Sequence, residues 1–129
     1  MTITSFNPQI ITQDAEATIA LFEALGFERR HEKTGINDKD ITSARMRYIG
    51  EDGKVFHVDV TKPSYSVSIT TIRMNVRDFD EAYQMLQERG FKNAQGNKIT
   101  NTGSSKSAMM VSPSGFSIQL TQHIRKEDR

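Results

Sequence analysis

The sequence predicts an α+β fold made of two tandem βαβββ modules, and an internal repeat is the main reason. The segment QDAEATIALFEALGF, residues 13–27, returns as RDFDEAYQMLQERGF, residues 77–91, in a chain of 129 residues. Short segments rich in β-forming residues flank both copies, and turn residues separate these segments. Two copies of one pattern predict two modules of similar structure.

Both copies of the repeat have the marks of a capped amphipathic helix. Asp14 and Asp78 stand at the N-cap position, and Glu81 suits a capping box in the second copy. Gly26 and Gly90 suit the left-handed end of a helix, and the phenylalanine after each glycine can fold back onto the last turn. The shared apolar positions are Ala15, Ile19 and Phe22 in the first copy and Phe79, Tyr83 and Leu86 in the second.

Strand-like segments precede and follow each helix. They are residues 7–12, 27–32, 42–49 and 54–60 around the first helix, and 68–76, 91–95, 104–111 and 115–121 around the second. The turn signals EDG and SPSG predict that a hairpin joins the last two strands of each module. Lys33–Asp40 and Asn101–Ser105 are predicted loops.

A single βαβββ unit covers one sheet face with its helix and leaves the other face bare. Alternation along the strands assigns Ala44, Met46, Tyr48, Phe56, Val58, Val60, Ile72, Met74, Val76, Phe116, Ile118 and Leu120 to the covered faces. Two units side by side form a curved mixed sheet whose bare faces line a shared cleft. We expect one domain over residues 1–129, with module one at about 5–62, module two at about 66–122 and a solvated tail at 123–129.

The composition excludes several classes of function. Seventeen basic and 16 acidic residues give a net charge of +1, which indicates no nucleic-acid or membrane partner. No apolar run approaches the roughly 20 residues of a membrane span, and the N-terminus lacks the features of a signal peptide. The absence of cysteine excludes disulfides, a thiolate nucleophile and a cysteine-based zinc site. We therefore expect a cytoplasmic protein.

The repeated helices and the closing segment SPSGFSIQL, residues 112–120, resemble the vicinal oxygen chelate superfamily. This group includes glyoxalase I, extradiol dioxygenases, fosfomycin-resistance enzymes and bleomycin-resistance proteins. The resemblance extends from Phe6 to about Thr121. It implies the glyoxalase-like fold around a cleft, a small-molecule ligand, and a homodimer, since these domains commonly pair.

Metal-dependent members of the superfamily hold one divalent ion through histidines and glutamates at four equivalent strand positions. The resemblance assigns these positions to Asn7, His57, Thr71 and Gln119. Of the four, only His57 is a good ligand for a transition metal, since amide and hydroxyl oxygens bind weakly. We expect no metal cofactor. If a metal did bind, His57 and Gln119 would be its ligands, with Asp59 as the nearest additional carboxylate.

Strand alternation predicts a polar cleft. With Asn7, which the resemblance places there, the residues assigned to it are Arg45, Arg47, His57, Asp59, Thr71, Arg73, Met109 and Gln119. The arginines suit a carboxylate or phosphate, or else they face water. His57 is the candidate catalytic residue, because a pKa near neutrality lets it move a proton; the alternative is that Asn7 or Asp59 satisfies it and it has no chemistry.

Three functions are compatible with these features. The favoured one is metal-independent binding of a small molecule, an anion being favoured by the arginines, with catalysis by His57 left open. The alternative is a metal-dependent lyase, isomerase or transferase of the glyoxalase I or fosfomycin-resistance type, with Asp59 or a partner subunit completing the ligand set. A protein partner is the third, and a large apolar edge would favour it.

Overall fold

The computed structural model describes residues 1–33, 42–63 and 66–124, without the side chains of residues 31–33 and 42. Most of the predicted loop Lys33–Asp40 and most of the predicted tail lie outside the described residues. The elements are β1 (Ile3–Ile11), α1 (Ala15–Ala24), β2 (Glu28–Lys33), β3 (Thr42–Ile49), β4 (Val55–Lys62), β5 (Ile69–Val76), α2 (Phe79–Glu88), β6 (Lys92–Asn93), β7 (Thr100–Asn101), β8 (Ser105–Val111) and β9 (Ser117–His123).

The chain divides into two compact units, and β1 belongs to both. The first unit is Asn7–Thr70, and the second is Met1–Phe6 together with Thr71–Arg129. In the second unit the N–H of Arg77 donates to the carbonyl of Thr2 at 3.0 Å, which ties the start of the chain to the end of β5. The expected division into modules did not anticipate that the first residues group with the second repeat. That the whole chain forms one domain stays a prediction.

In the first unit the strand order is β2-β3-β4-β1. The β2–β3 and β3–β4 pairs are antiparallel, and β1 runs parallel to β4. Helix α1 covers one face of these strands and buries Ala15 and Ile19. They pack with four residues of the predicted core: Ala44, Met46, Val58 and Val60. Phe56 corrects the prediction: it is 51% exposed at the start of β4, with its ring 6.2 Å from that of Tyr48.

In the second unit the order is β5-β9-β8-β6, with β7 paired to β8. The β5–β9 pair is parallel and the β8–β9 pair antiparallel. Helix α2 buries Phe79, Ala82 and Leu86 against the sheet. Four strand residues of the predicted core are buried here: Met74, Val76, Ile118 and Leu120. Phe116 was also assigned to the core, but it is 50% exposed and packs edge-on against Phe91.

The α+β class and the mixed sheet are therefore confirmed, with the βαβββ plan visible in each unit and the short strand β7 as an unpredicted addition. A shared cleft between the repeats stays a prediction. No helix in the described part of the chain is long and apolar enough to cross a membrane.

Both helices end as the glycine pattern predicts. Gly26 and Gly90 have φ angles of 106° and 94°, a conformation that costs a glycine little. After Gly26, the N–H of Phe27 donates to the carbonyl of Phe22 at 2.9 Å, and the two rings meet edge-on at 5.3 Å. This is the hydrogen bond and apolar contact of a Schellman motif.

The helix beginnings differ. The carboxylate of Asp78 accepts a hydrogen bond from the N–H of Glu81 at 3.1 Å, which confirms the predicted cap of α2. Asp14 occupies the same place before α1, but its carboxylate makes no capping hydrogen bond within the described residues. The prediction that the Asp14 side chain caps α1 is therefore wrong.

Candidate ligand-binding site

The first unit carries a polar surface on the sheet face opposite α1. Its members are Asn7 and Gln9 on β1, Arg45 and Arg47 on β3, and His57, Asp59 and Thr61 on β4. We call these seven residues the first-unit polar face. Register aligns them across the strands, since Gln9 lies opposite Asp59, Asp59 opposite Arg45, and His57 opposite Arg47. Directly opposed residues point to the same side of a sheet, so their side chains share one surface.

A buried ion pair forms the centre of this face. Asp59 is only 4% exposed, and the Nε of Arg45 lies 3.2 Å from its Oδ1. The amide of Asn7 donates to Oδ2 of Asp59 at 2.8 Å, and the Nη2 of Arg45 donates to Oδ1 of Asn7 at 2.6 Å. The three side chains close a ring in which Arg45 offsets the charge of Asp59. Removing one member of such a buried pair leaves an uncompensated charge, so we expect the ring to be stiff.

His57 lies half-buried beside this ring. Its pKa is lowered from the ordinary 6.5, first by burial and then by the positive charges of Arg45 and Arg47, while Asp59 opposes the shift. The imidazole is therefore neutral at pH 7 and able to accept a proton. It makes no hydrogen bond to any described residue, so the expectation that Asn7 or Asp59 satisfies it through a hydrogen bond is not what the geometry shows.

Arg47 differs from Arg45 in that no carboxylate of the described residues forms an ion pair with it. It is half-buried, and its Nε is buried without a hydrogen-bond partner among residues 1–33, 42–63 and 66–124. On the neighbouring strand β2, Glu28 lies directly opposite Arg47. The Glu28 side chain is 73% exposed, however, and its Oε2 lies 3.9 Å from Nη1 of Arg30. A half-buried guanidinium without a carboxylate, next to the neutral imidazole of His57, is an open donor site for an anion.

The second unit has a corresponding polar surface with a different character. Its members are Thr71, Arg73 and Asn75 on β5, Ser107 and Met109 on β8, and Ser117, Gln119 and Thr121 on β9. The hydroxyl of Thr71 donates to the Ser117 carbonyl at 2.8 Å and accepts from the Ser117 hydroxyl at 2.8 Å. The Nε of Arg73 donates to Oδ1 of Asn75 at 3.2 Å. Several of these groups thus satisfy one another, and we call this surface the second-unit polar face.

The nine residues assigned to the cleft fall into two groups. Asn7, Arg45, Arg47, His57 and Asp59 lie on the first-unit polar face. Thr71, Arg73, Met109 and Gln119 lie on the second-unit polar face. Sequence reasoning missed Gln9, which is 5% exposed on the first face. The signal was present, because Gln9 stands two residues after Asn7 on the same side of β1.

The four positions expected to hold a metal do not form a suitable donor set. Asn7 and Thr71 are engaged in hydrogen bonds, Asn7 with Asp59 and Thr71 with Ser117. His57 has two arginines nearby, whose charges oppose a cation as they oppose its own protonation. The described residues contain no group of three His, Cys, Asp or Glu side chains that could hold a metal ion. These residues do not fit a divalent metal.

The profile of the Glyoxalase/Bleomycin resistance protein/Dioxygenase superfamily matches residues 3–120. The chain belongs to this superfamily. The resemblance to this superfamily that the sequence showed is therefore confirmed over nearly the whole chain. Comparison with curated proteins gives no match.

Solved structures support the same fold for this superfamily member. Methylmalonyl-CoA epimerase from Mycobacterium tuberculosis is 18% identical with a TM-score of 0.67, covering 98% of this chain and 92% of that one. A Streptomyces coelicolor methylmalonyl-CoA epimerase variant in complex with 2-nitronate-propionyl-CoA is 16% identical with a TM-score of 0.67, covering 96% and 100%. A superfamily member from Vibrio splendidus 12B01 is 20% identical with a TM-score of 0.58, covering 94% and 99%. At these identities the likeness concerns the fold alone.

Proposed function

We propose that this superfamily member binds a small anionic molecule on its first-unit polar face without a transition metal. The observation that carries the proposal is Arg47, a half-buried guanidinium with a buried, unpaired Nε and no acid beside it in the described part of the chain. A guanidinium offers a planar fork of N–H donors that matches a carboxylate or a phosphate. Leaving such a donor buried and unpaired costs free energy, which a bound anion would recover.

The charge on the face favours an anion. Arg45 offsets Asp59 at 3.2 Å, and His57 is neutral at pH 7, so Arg47 leaves the face with one net positive charge. A unit negative charge 4 Å from a guanidinium gains about 4 kcal/mol at an effective dielectric constant of 20, before its desolvation is subtracted. Because the site is partly buried, salt screens this attraction less than at an open surface.

Binding alone needs only Arg47, whereas a reaction would use His57. A neutral imidazole can remove a proton from a ligand that the neighbouring guanidinium holds in place. We therefore assign His57 the role of general base in any reaction at this face. Several structural neighbours are methylmalonyl-CoA epimerases, one of them in complex with methylmalonyl-CoA. Anionic acyl esters of coenzyme A accordingly belong among the ligands to be tested.

The proposal is tested by measuring melting temperatures of chelator-treated protein with acetate, succinate, inorganic phosphate and methylmalonyl-CoA. Arg47→Met removes the charge and keeps an apolar stem. The matched control is Arg89→Met, since Arg89 is exposed at the C-terminal end of α2 and lies outside the first-unit polar face. We expect at least one anion to raise the melting temperature saturably, with an affinity about tenfold or more weaker in Arg47→Met. A control variant that loses binding equally, or no response to any of the four anions, contradicts the proposal.

We also propose that the protein is a cytoplasmic homodimer. The support is the family resemblance, since domains of this kind commonly pair to complete or shield their clefts. Light scattering across a range of concentrations measures the mass directly. A monomer of 14.6 kDa at every concentration would contradict the dimer.

A further inference from the structure

We infer that the ligand of the first-unit polar face carries, besides its anionic group, a hydroxyl or similar hydrogen-bond donor that is bound by the side-chain carbonyl of Gln9. This inference rests on the proposed function and narrows its ligand class to hydroxylated carboxylates or phosphates. The same strand arrangement that presents Arg47 presents Gln9 on the same surface.

Gln9 offers a buried acceptor that nothing in the described part of the protein uses. The residue is 5% exposed, and its Nε2 donates to Oγ1 of Thr61 at 3.1 Å. Its Oε1 is buried and has no hydrogen-bond partner among the described residues.

Unpaired buried groups are concentrated on this face. In the described residues, four buried side-chain polar atoms lack a hydrogen-bond partner. Three are on the first-unit polar face: Oε1 of Gln9, Nε of Arg47, and Nε of Arg45, which is already ion-paired with Oδ1 of Asp59 at 3.2 Å. Buried polar groups in native proteins are nearly always paired, and each exception calls for an occupant such as a water or a ligand. The face thus presents donors for an anion and one acceptor for a donor group.

The separation of the two groups suits one small molecule. Gln9 on β1 and Arg45 on β3 both lie opposite Asp59 on β4, and Arg47 is two residues further along β3. With neighbouring strands about 4.8 Å apart and a rise of about 3.3 Å per residue, the Cα atoms of Gln9 and Arg47 are roughly 12 Å apart. The long side chains of Gln9 and Arg47, together with a small linear ligand, can span this separation.

The test compares anions that differ only by a terminal hydroxyl, at several lengths. The carboxylate pairs are acetate with glycolate, butyrate with 4-hydroxybutyrate, and hexanoate with 6-hydroxyhexanoate; the phosphate pair is propyl phosphate with 3-hydroxypropyl phosphate. Titration calorimetry of the chelator-treated full chain gives each dissociation constant. We expect the hydroxyl to tighten binding about five- to tenfold in at least one pair, the strength of one well-made hydrogen bond.

Gln9→Met is the decisive variant, because it nearly keeps the side-chain volume and removes the carbonyl. We expect it to reduce the hydroxyl preference to within about twofold while the unhydroxylated anion keeps its affinity. Gln84→Met, at an exposed position of α2, is the matched control and should keep the preference. If Gln9→Met fails to fold, Gln9→Leu, which also removes the carbonyl, takes its place, and equal binding of both members of every pair by the wild-type chain still overturns the inference.

The outcomes separate the two proposals. Equal binding of both members of every pair overturns the inference and leaves anion binding by Arg47 intact; an ordered water then satisfies Gln9. A hydroxyl preference that persists in Gln9→Met also overturns it. If no anion of either kind binds, the proposed function fails and the inference fails with it.

Discussion

The two polar faces occupy equivalent places in the repeat and hold different chemistry. On the first, a buried carboxylate is balanced by Arg45, and Nε of Arg47 has no hydrogen-bond partner among the described residues, beside a neutral histidine. On the second, Thr71 and Ser117 exchange hydrogen bonds. Each helix-covered face keeps an apolar core in both units. The difference teaches that the fold constrains the covered face and leaves the opposite face free to diverge, so function is best sought where the repeats disagree.

The repeats also differ in the register between the turn glycine and the paired strands. Gln9 and Arg73 are equivalent by the helix repeat, and their partners are Asp59 and Gln119. Asp59 lies six residues after the turn glycine Gly53, whereas Gln119 lies only four after its own turn glycine. A fixed spacing of four residues after the turn glycine therefore selects His57 in the first repeat and Gln119 in the second, which differ in register by two residues. The amide of Asn7 accordingly reaches Asp59.

The largest expected difference between the units concerns buried charge. Asp59→Asn should lower the free energy of unfolding by about 3 kcal/mol, because it leaves Arg45 without its buried partner. The equivalent hairpin position is Thr121, also 4% exposed, where Thr121→Val should cost less than about 1.5 kcal/mol. Urea unfolding of both variants measures the contrast. If both variants lost the same free energy of unfolding, the buried ion pair would contribute no more to stability than the Thr121 hydroxyl does.

A smaller difference is expected at the helix caps. Asp78→Ala should destabilise the protein by about 1 kcal/mol, because it removes the hydrogen bond to the N–H of Glu81. Asp14→Ala should have an effect within about 0.5 kcal/mol, since the Asp14 side chain makes no capping bond in the described structure. Thermal and urea unfolding of the two variants provide the check. A larger loss of stability in Asp14→Ala than in Asp78→Ala would contradict the finding that only the Asp78 side chain caps its helix.

The smallest effect is a pH dependence confined to the first unit. Because the folded-state pKa of His57 is lowered below 6.5, the unfolded chain takes up a proton there before the folded chain does as the pH falls. The wild type should therefore lose stability relative to His57→Gln between about pH 8 and about pH 5. Urea unfolding of both proteins across this range tests the sign. A relative gain on acidification would show that Asp59 outweighs burial and the two arginines.

Much of the fold could be predicted because its signals are local. The glycines that end the helices, the apolar spacing of the repeat and the hairpin turns each act over a few residues. Strand β7, only two residues long, is too short to show a period. The burial of Phe56 and Phe116 was mispredicted because alternation gives the side of the sheet and not how far the helix extends over it.

The candidate site could be predicted only as a set of residues on a face. Alternation assigned Arg45, Arg47, His57 and Asp59 to one side correctly. Which of them pair with each other depends on the register between strands distant in sequence, which local patterns do not reveal. The unpaired state of Arg47 and Gln9 is likewise a property of the packed structure. These two residues carry the functional proposals.

The central claim, anion binding by Arg47 without a metal, is tested most directly by calorimetry. Chelator-treated protein is titrated with the best anion from the melting screen, alone and after addition of Zn²⁺, Ni²⁺, Mn²⁺ or Fe²⁺. We predict saturable binding in the chelated protein, unchanged by any of the ions and about tenfold or more weaker in Arg47→Met. Binding that requires an ion, together with a rise in melting temperature of the size that tight metal binding produces, would contradict the claim. That result would favour a metal-dependent lyase, isomerase or transferase.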